Sequence, residues 1–255
     1  MRSRLRLAVL ATFVIGLVLA GLGSVVAKSP EQRDEIRAAD AVAQRFDRAV
    51  SRYVSDAAAD IASKHDADQD GYPALLKLAQ AKLRGAPELG ERGTTSYGRE
   101  HSDDYQSAED RRRAALQSLA DLETYLRKRA IPDSKFIAAG KKLVGLRPGT
   151  LLGDDPVLNG DPLRERVLPA YKKARSQVEK QSVPEGSRLL KLDLVTYADD
   201  VIAQTKDGAE KIDDQEAFFF QLGDRPVELF QRLAAFESGI QVQVDEQVQI
   251  VAASQ

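Results

Sequence analysis

The chain contains no cysteine and no tryptophan, and its only methionine is Met1. Without cysteine there are no disulfides, no thiolate metal sites, no cysteine nucleophile and no lipidated N-terminal cysteine. Histidine is almost as scarce: His65 and His101, both in polar stretches, are the only two. Neither sits in a Ser-His-Asp set or in the Glu-x-x-His pattern that a di-metal helical bundle needs. No phosphate-cradling loop or dinucleotide fingerprint is present. Lys and Arg number 37 against 39 Asp and Glu, for a net charge of −2. There is no basic run of five, so charge gives no reason to expect a nucleic-acid partner.

What the sequence does have is one long apolar run. Leu7 to Ala27 reads LAVLATFVIGLVLAGLGSVVA, 21 residues without a charge. As a helix it would extend roughly 31 Å, the thickness of a bilayer core. Arg2, Arg4 and Arg6 precede it and Lys28 follows. The pattern predicts a single-pass anchor at 7–27, with 1–6 cytoplasmic and 28–255 outside the cytoplasm. The alternative is a signal peptide cut after Ala27, giving a secreted or periplasmic chain.

Beyond it the pattern is helical. Ser29-Pro30-Glu31-Gln32 has the form of a capping box with proline at the first helical position. Ile36, Ala39, Ala43, Phe46, Val50, Tyr53 and Ala57 then recur at alternating spacings of three and four, a coiled-coil-like seam predicting a long helix or stalk over 28–64. Residues 65–239 predict a helical domain. A short helix from Pro73 ends at Gly85, and a glycine-rich polar loop covers 85–103. Further helices are stopped by Pro132, kinked by Pro169, and run from Ser187 to Gly223 and from Pro226 to Gly239. A second long loop covers 146–162. No internal repeat stands out.

The last segment changes period. Ile240, Val242, Val244, Val248 and Ile250 share one parity and Gln241, Gln243, Asp245, Gln247 and Gln249 the other. Period two predicts an extended, strand-like tail over 240–255. The fold class expected is therefore all-α: a helical bundle with one N-terminal transmembrane helix and a short strand-like tail.

Few motifs carry chemistry. Asp66-Ala67-Asp68-Gln69-Asp70-Gly71-Tyr72 matches the first half of an EF-hand loop. Asp66, Asp68 and Asp70 would give carboxylate ligands and Tyr72 a carbonyl, for calcium. At position twelve, however, stands Lys77 in place of the bidentate glutamate, and Asp70 also suits the start of the next helix. Glu237-Ser238 is similar to the Glu-Ser pair of helical lytic transglycosylases, but that family's Gly-Leu-Met-Gln stretch is replaced by Gln241-Val242-Gln243-Val244. The acidic pairs, among them Asp199-Asp200 and Asp213-Asp214, read as solvated faces or caps. Phe218-Phe219-Phe220 cannot all face one side of a helix, so the run belongs either to a core or to an interaction surface.

Together these features predict a membrane-anchored, extracytoplasmic scaffold or interaction protein without catalytic activity and without a cofactor. Its partners would be the membrane, through 7–27, and a protein or a second copy of itself. Two alternatives stand beside it: an exported helical protein binding a ligand or ion, and a carboxylate-dependent envelope hydrolase.

Overall fold

The computed structural model describes residues 28–68, 71–153, 157–183 and 185–253. All regular structure among them is helical. The elements in order are α1 (Pro30–Ala67), α2 (Tyr72–Arg84), α3 (Ser96–His101), α4 (Asp103–Ala115), α5 (Gln117–Tyr125), α6 (Ile131–Gly145), α7 (Pro148–Leu152), α8 (Leu168–Glu179), α9 (Arg188–Asp213) and α10 (Arg225–Ala253). Single π-helical turns, Leu126–Ala130 and Leu163–Val167, lead into α6 and α8.

The expectation of a single-pass membrane protein is corrected here. No helix among the described residues is long and apolar enough to cross a membrane. The segment 7–27 itself lies outside the described residues. The transmembrane helix, the extracytoplasmic placement of 28–255 and the release after Ala27 are therefore not carried further.

The start of α1 is as the sequence implies. The Gln32 amide donates to Ser29 Oγ at 3.2 Å, and the Ser29 amide donates to Gln32 Oε1 at 2.9 Å. Both are donors that a helix start otherwise leaves without a partner. The buried seam of α1 runs Ala39, Ala43, Phe46, Val50, Val54, Ala57, Ile61 and His65. After Val50 it follows 4-3-4-4 spacing, so Tyr53 leaves the seam and Val54 enters it. An undistorted helix at 3.6 residues per turn drifts in this way from a strict heptad.

The chain divides into two compact units. The first comprises residues 28–47 with 88–110. Here Thr95 Oγ1 donates to Glu35 at 2.9 Å and Ser102 Oγ to Asp40 at 2.5 Å. Ser102 Oγ also accepts from the Tyr105 amide, capping α4. Gly98 sits so close to the Glu35 backbone that a Cβ there would collide with it. The polar stretch expected to be a long loop is thus partly helical and is joined to α1 by side-chain hydrogen bonds.

The second unit comprises residues 48–87 with 111–253. α6 packs against α8 and α10, α9 against α8 and α10, and α5 against α2 and α10. At the crossing of α6, α9 and α10, a Cβ on Gly140 would come within 2.9 Å of Leu233 and 3.1 Å of Leu194. Phe136 and Phe236 meet edge to face beside it, 6.3 Å between centroids.

Pro132 does not stop the helix before it. A proline ring clashes with the carbonyl four residues back and offers no N–H. The chain absorbs this by widening one turn: the Ile131 amide reaches Leu126 O, five residues back. The Leu168 amide reaches Leu163 O in the same way ahead of Pro169. The two sites share the pattern Leu-Arg-x-Arg-x-x-Pro, as Leu126-Arg-Lys-Arg-Ala-Ile-Pro132 and Leu163-Arg-Glu-Arg-Val-Leu-Pro169.

The expected C-terminal strand is overturned. Residues 240–253 are the last turns of α10. Ile240, Val244, Val248 and Val251 are buried, whereas Val242 and Ile250 are exposed. Positions i, i+4 and i+8 are a subset of any period-two pattern, so alternation and a helical stripe coincide here.

Candidate interaction surface

The connection between α9 and α10 is built residue by residue. α9 ends at Asp213, ten residues earlier than the apolar spacing predicts, in a Schellman motif. The Gln215 amide donates to Ile212 O and the Glu216 amide to Lys211 O. The motif needs a left-handed residue, usually glycine; here Gln215 takes it, at φ 63°. The three phenylalanines follow in a segment without helix or strand. Phe218 turns inward onto the backbone of Gly208, where no Cβ could fit. Phe220 meets Phe218 edge to face at 5.0 Å. Phe219, between them, is 81% exposed.

The far side of this loop is clamped too. The Gln221 amide donates to Gln204 Oε1 at 2.7 Å, and Gln204 Nε2 donates to Gln221 O at 3.3 Å. One side-chain amide thus pairs both backbone groups of a loop residue. Gly223, at φ 53°, turns the chain into α10. The Asp224 carbonyl accepts the Val227 and Glu228 amides. Arg225 pairs with Asp200 and Arg232 with Asp193, the latter at 2.7 Å, tying α10 to α9.

Shallow cavities flank the loop. One, of about 260 Å³, includes Tyr197, Asp200, Gln204, Gln221 and Arg225 in its walls. Another, of about 480 Å³, includes Gln204, Asp207, Lys211, Phe218 and Phe219. The Asp200 carboxylate in the first is held by Arg225 and Asp207 in the second by Lys211, at 2.9 Å.

α9 carries a second exposed apolar pair at its other end. Leu189 is 72% and Leu192 59% exposed. Lys191 Nζ donates to Glu179 O and Gln181 O, tying the start of α9 to the end of α8.

The residues of the calcium motif fall as follows. Asp66 is exposed in the last turn of α1, and Asp68 pairs with Lys64 at 3.5 Å and folds against Gly71. Asp70 lies outside the described residues. Tyr72 opens α2 with its side chain buried, and its carbonyl belongs to the helix ladder. Among the described residues no three His, Cys, Asp or Glu side chains gather as a metal site. Glu237 is exposed and bonded to Lys141 across α6 and α10.

Two positions were not legible as special. His65, read as part of a polar stretch, is 5% exposed with Nε2 2.7 Å from Asp245 Oδ1. Asp213, one of the acidic pairs, accepts from the Gly160 amide at 2.7 Å and from Arg164. These bonds hold its carboxyl below the usual range, the Gly160 amide contributing most. Asp133, in the first turn of α6, moves the other way: burial raises its pKa against the opposing pull of Arg129, 3.7 Å away.

Comparison with known proteins finds no family model, no curated protein and no solved structure that matches the chain.

Proposed function

We propose that the chain is a helical interaction protein whose contact residue is Phe219. The observation that carries this reading is the contrast within one loop. Phe218 and Phe220 are half-buried and meet each other and Gln221 is clamped, while the ring between them is held in water. Burying a phenylalanine side chain is worth about 1.5–3 kcal/mol. A loop fixed on both sides of an exposed ring forgoes that gain in the free chain and keeps it for a partner. Little ordering remains to be done on contact, which is the condition under which an aromatic anchor contributes most.

Stability measurements test the role. Phe219→Ser should leave the urea midpoint and the helical signal unchanged, because the free chain buries little of that ring. Phe218→Ser should lower stability by about 1–2 kcal/mol, because the ring is half-buried against Gly208. A loss at Phe219 equal to that at Phe218 would mean the ring belongs to the core, and the reading would fail.

A further inference from the structure

We propose that Asn159 is a self-modification site, closing a ring with the Gly160 nitrogen and losing ammonia, and that the Asp213 carboxylate is the latch that holds this reaction in check. Asn159 is the only asparagine in the chain, and glycine follows it. Glycine has no side chain to screen its backbone nitrogen, so the asparagine amide lies open to attack by the next peptide nitrogen. The fold cannot exchange this glycine: a Cβ on Gly160 would collide with the Ala209 carbonyl oxygen. Asparagine, by contrast, is not required by the fold. Its Oδ1 accepts the Asp161 amide at 3.1 Å, a bond that aspartate also makes. Its backbone is not left-handed, since among the described non-glycine residues only Gln215 has a positive φ. What asparagine alone brings to this exposed position is a side-chain nitrogen that can leave.

The reaction balances with water alone. The Gly160 N–H loses its proton to hydroxide, the nitrogen bonds to Asn159 Cγ, and the Cγ–Nδ2 bond breaks. Nδ2 takes a proton from water and departs as ammonia. Water then opens the cyclic imide to aspartate or, with the backbone rerouted through the side chain, to isoaspartate. Nothing is oxidised or reduced.

In the folded chain the first step is opposed. The Gly160 amide donates to Asp213 Oδ1 at 2.7 Å, so the proton to be lost is engaged. Arg164 holds the same carboxylate in place. Asp213 is ionised at neutral pH, and its charge disfavours a second negative charge on the nitrogen beside it. The Asp161 amide meanwhile fixes the Asn159 side chain. Ring closure removes the Gly160 donor, because an imide nitrogen carries no proton, and isoaspartate returns it only on a longer backbone. The modified chain thus loses the bond that ties the turn ahead of α8 to the end of α9.

The test follows the full chain, folded, at mildly alkaline pH. The peptide holding Asn159 is monitored by mass spectrometry for imide, aspartate and isoaspartate. Asp213→Ala adds no asparagine and should raise the rate about tenfold or more, the factor implied by losing one hydrogen bond to a charged group. Arg164→Gln, which loosens the carboxylate without removing it, should give a smaller rise. Gly140→Ala overpacks the crossing with Leu233 and Leu194, so it is destabilised elsewhere and should stay near the parent rate. The parent unfolded in urea should react faster than the folded parent. An equal or lower rate in Asp213→Ala, or equal rates in folded and unfolded parent, overturns the latch. A rise in Gly140→Ala as large as in Asp213→Ala overturns it too, because general unfolding then explains both. Absence of modified peptide in folded Asp213→Ala overturns the site itself.

Discussion

Gln204 on α9 makes two hydrogen bonds to the backbone of Gln221, 17 positions later, accepting from its amide at 2.7 Å and donating to its carbonyl at 3.3 Å. A glutamine side chain here does what a neighbouring strand would do in a sheet. The loop it fixes is neither helix nor strand, yet it holds Phe219 at a defined place between the ends of two long helices.

Gly208 should be intolerant of any side chain. Alanine in a helix interior is ordinarily favoured over glycine by about 1 kcal/mol. At Gly208 a Cβ would meet the Phe218 ring, and overpacking of this kind costs about 1–3 kcal/mol. Urea unfolding of Gly208→Ala should show a net loss. A gain would mean that Phe218 is free to leave its seat, and with it the inward-facing side of the loop.

The helical nature of the last segment is checked by two neighbouring valines. In a strand Val242 and Val244 would share one face. In α10 Val244 is fully buried and Val242 exposed. Val242→Asp should change stability by no more than about 0.5 kcal/mol, whereas Val244→Asp should cost more than about 4 kcal/mol. Equal effects would restore the strand.

Much of this fold was open to reading from the amino acids. The capping box at Ser29 and Gln32, the seam of α1 up to Val50 and the helix after Pro73 all follow from local rules. The errors share one physical origin, competition between a local pattern and its tertiary setting. The tail alternates because Ile240, Val244 and Val248 are helical neighbours on even positions and the exposed Val242 and Ile250 happen to be apolar. Pro132 looks like a stop and Pro169 like a kink, yet widened turns absorb both. Phe219 falls at helical spacing from Leu194 and Val201, but the Schellman motif at Gln215 has already ended α9. The triple phenylalanine signalled a surface or a core, and the distinction was decided by Gly208 and Gln204, which no local pattern links to it.

Acid should weaken the link between Gly160, Arg164 and Asp213. The Asp213 carboxyl is held below its ordinary value in the folded chain. A depressed carboxyl contributes stability at pH values above its unfolded value, near 3.9, and loses it as the pH falls through the folded value. Asp213→Asn should therefore flatten the stability profile below about pH 4 and be least like the parent near neutrality. Parallel profiles for parent and variant from pH 6 to 2 would contradict the assignment.

The most direct measurement is photo-cross-linking from position 219 itself. A photoreactive phenylalanine analogue at Phe219, expressed in the chain's own host cells, should give one discrete adduct on illumination. The same analogue at Val242, exposed on α10 and outside the loop, should give a weaker one or none. An adduct of twice the chain mass makes the partner a second copy, and an adduct to a different protein makes the partner that protein. A diffuse smear equal at both positions, or no adduct at 219, would contradict the role of Phe219 as a contact residue.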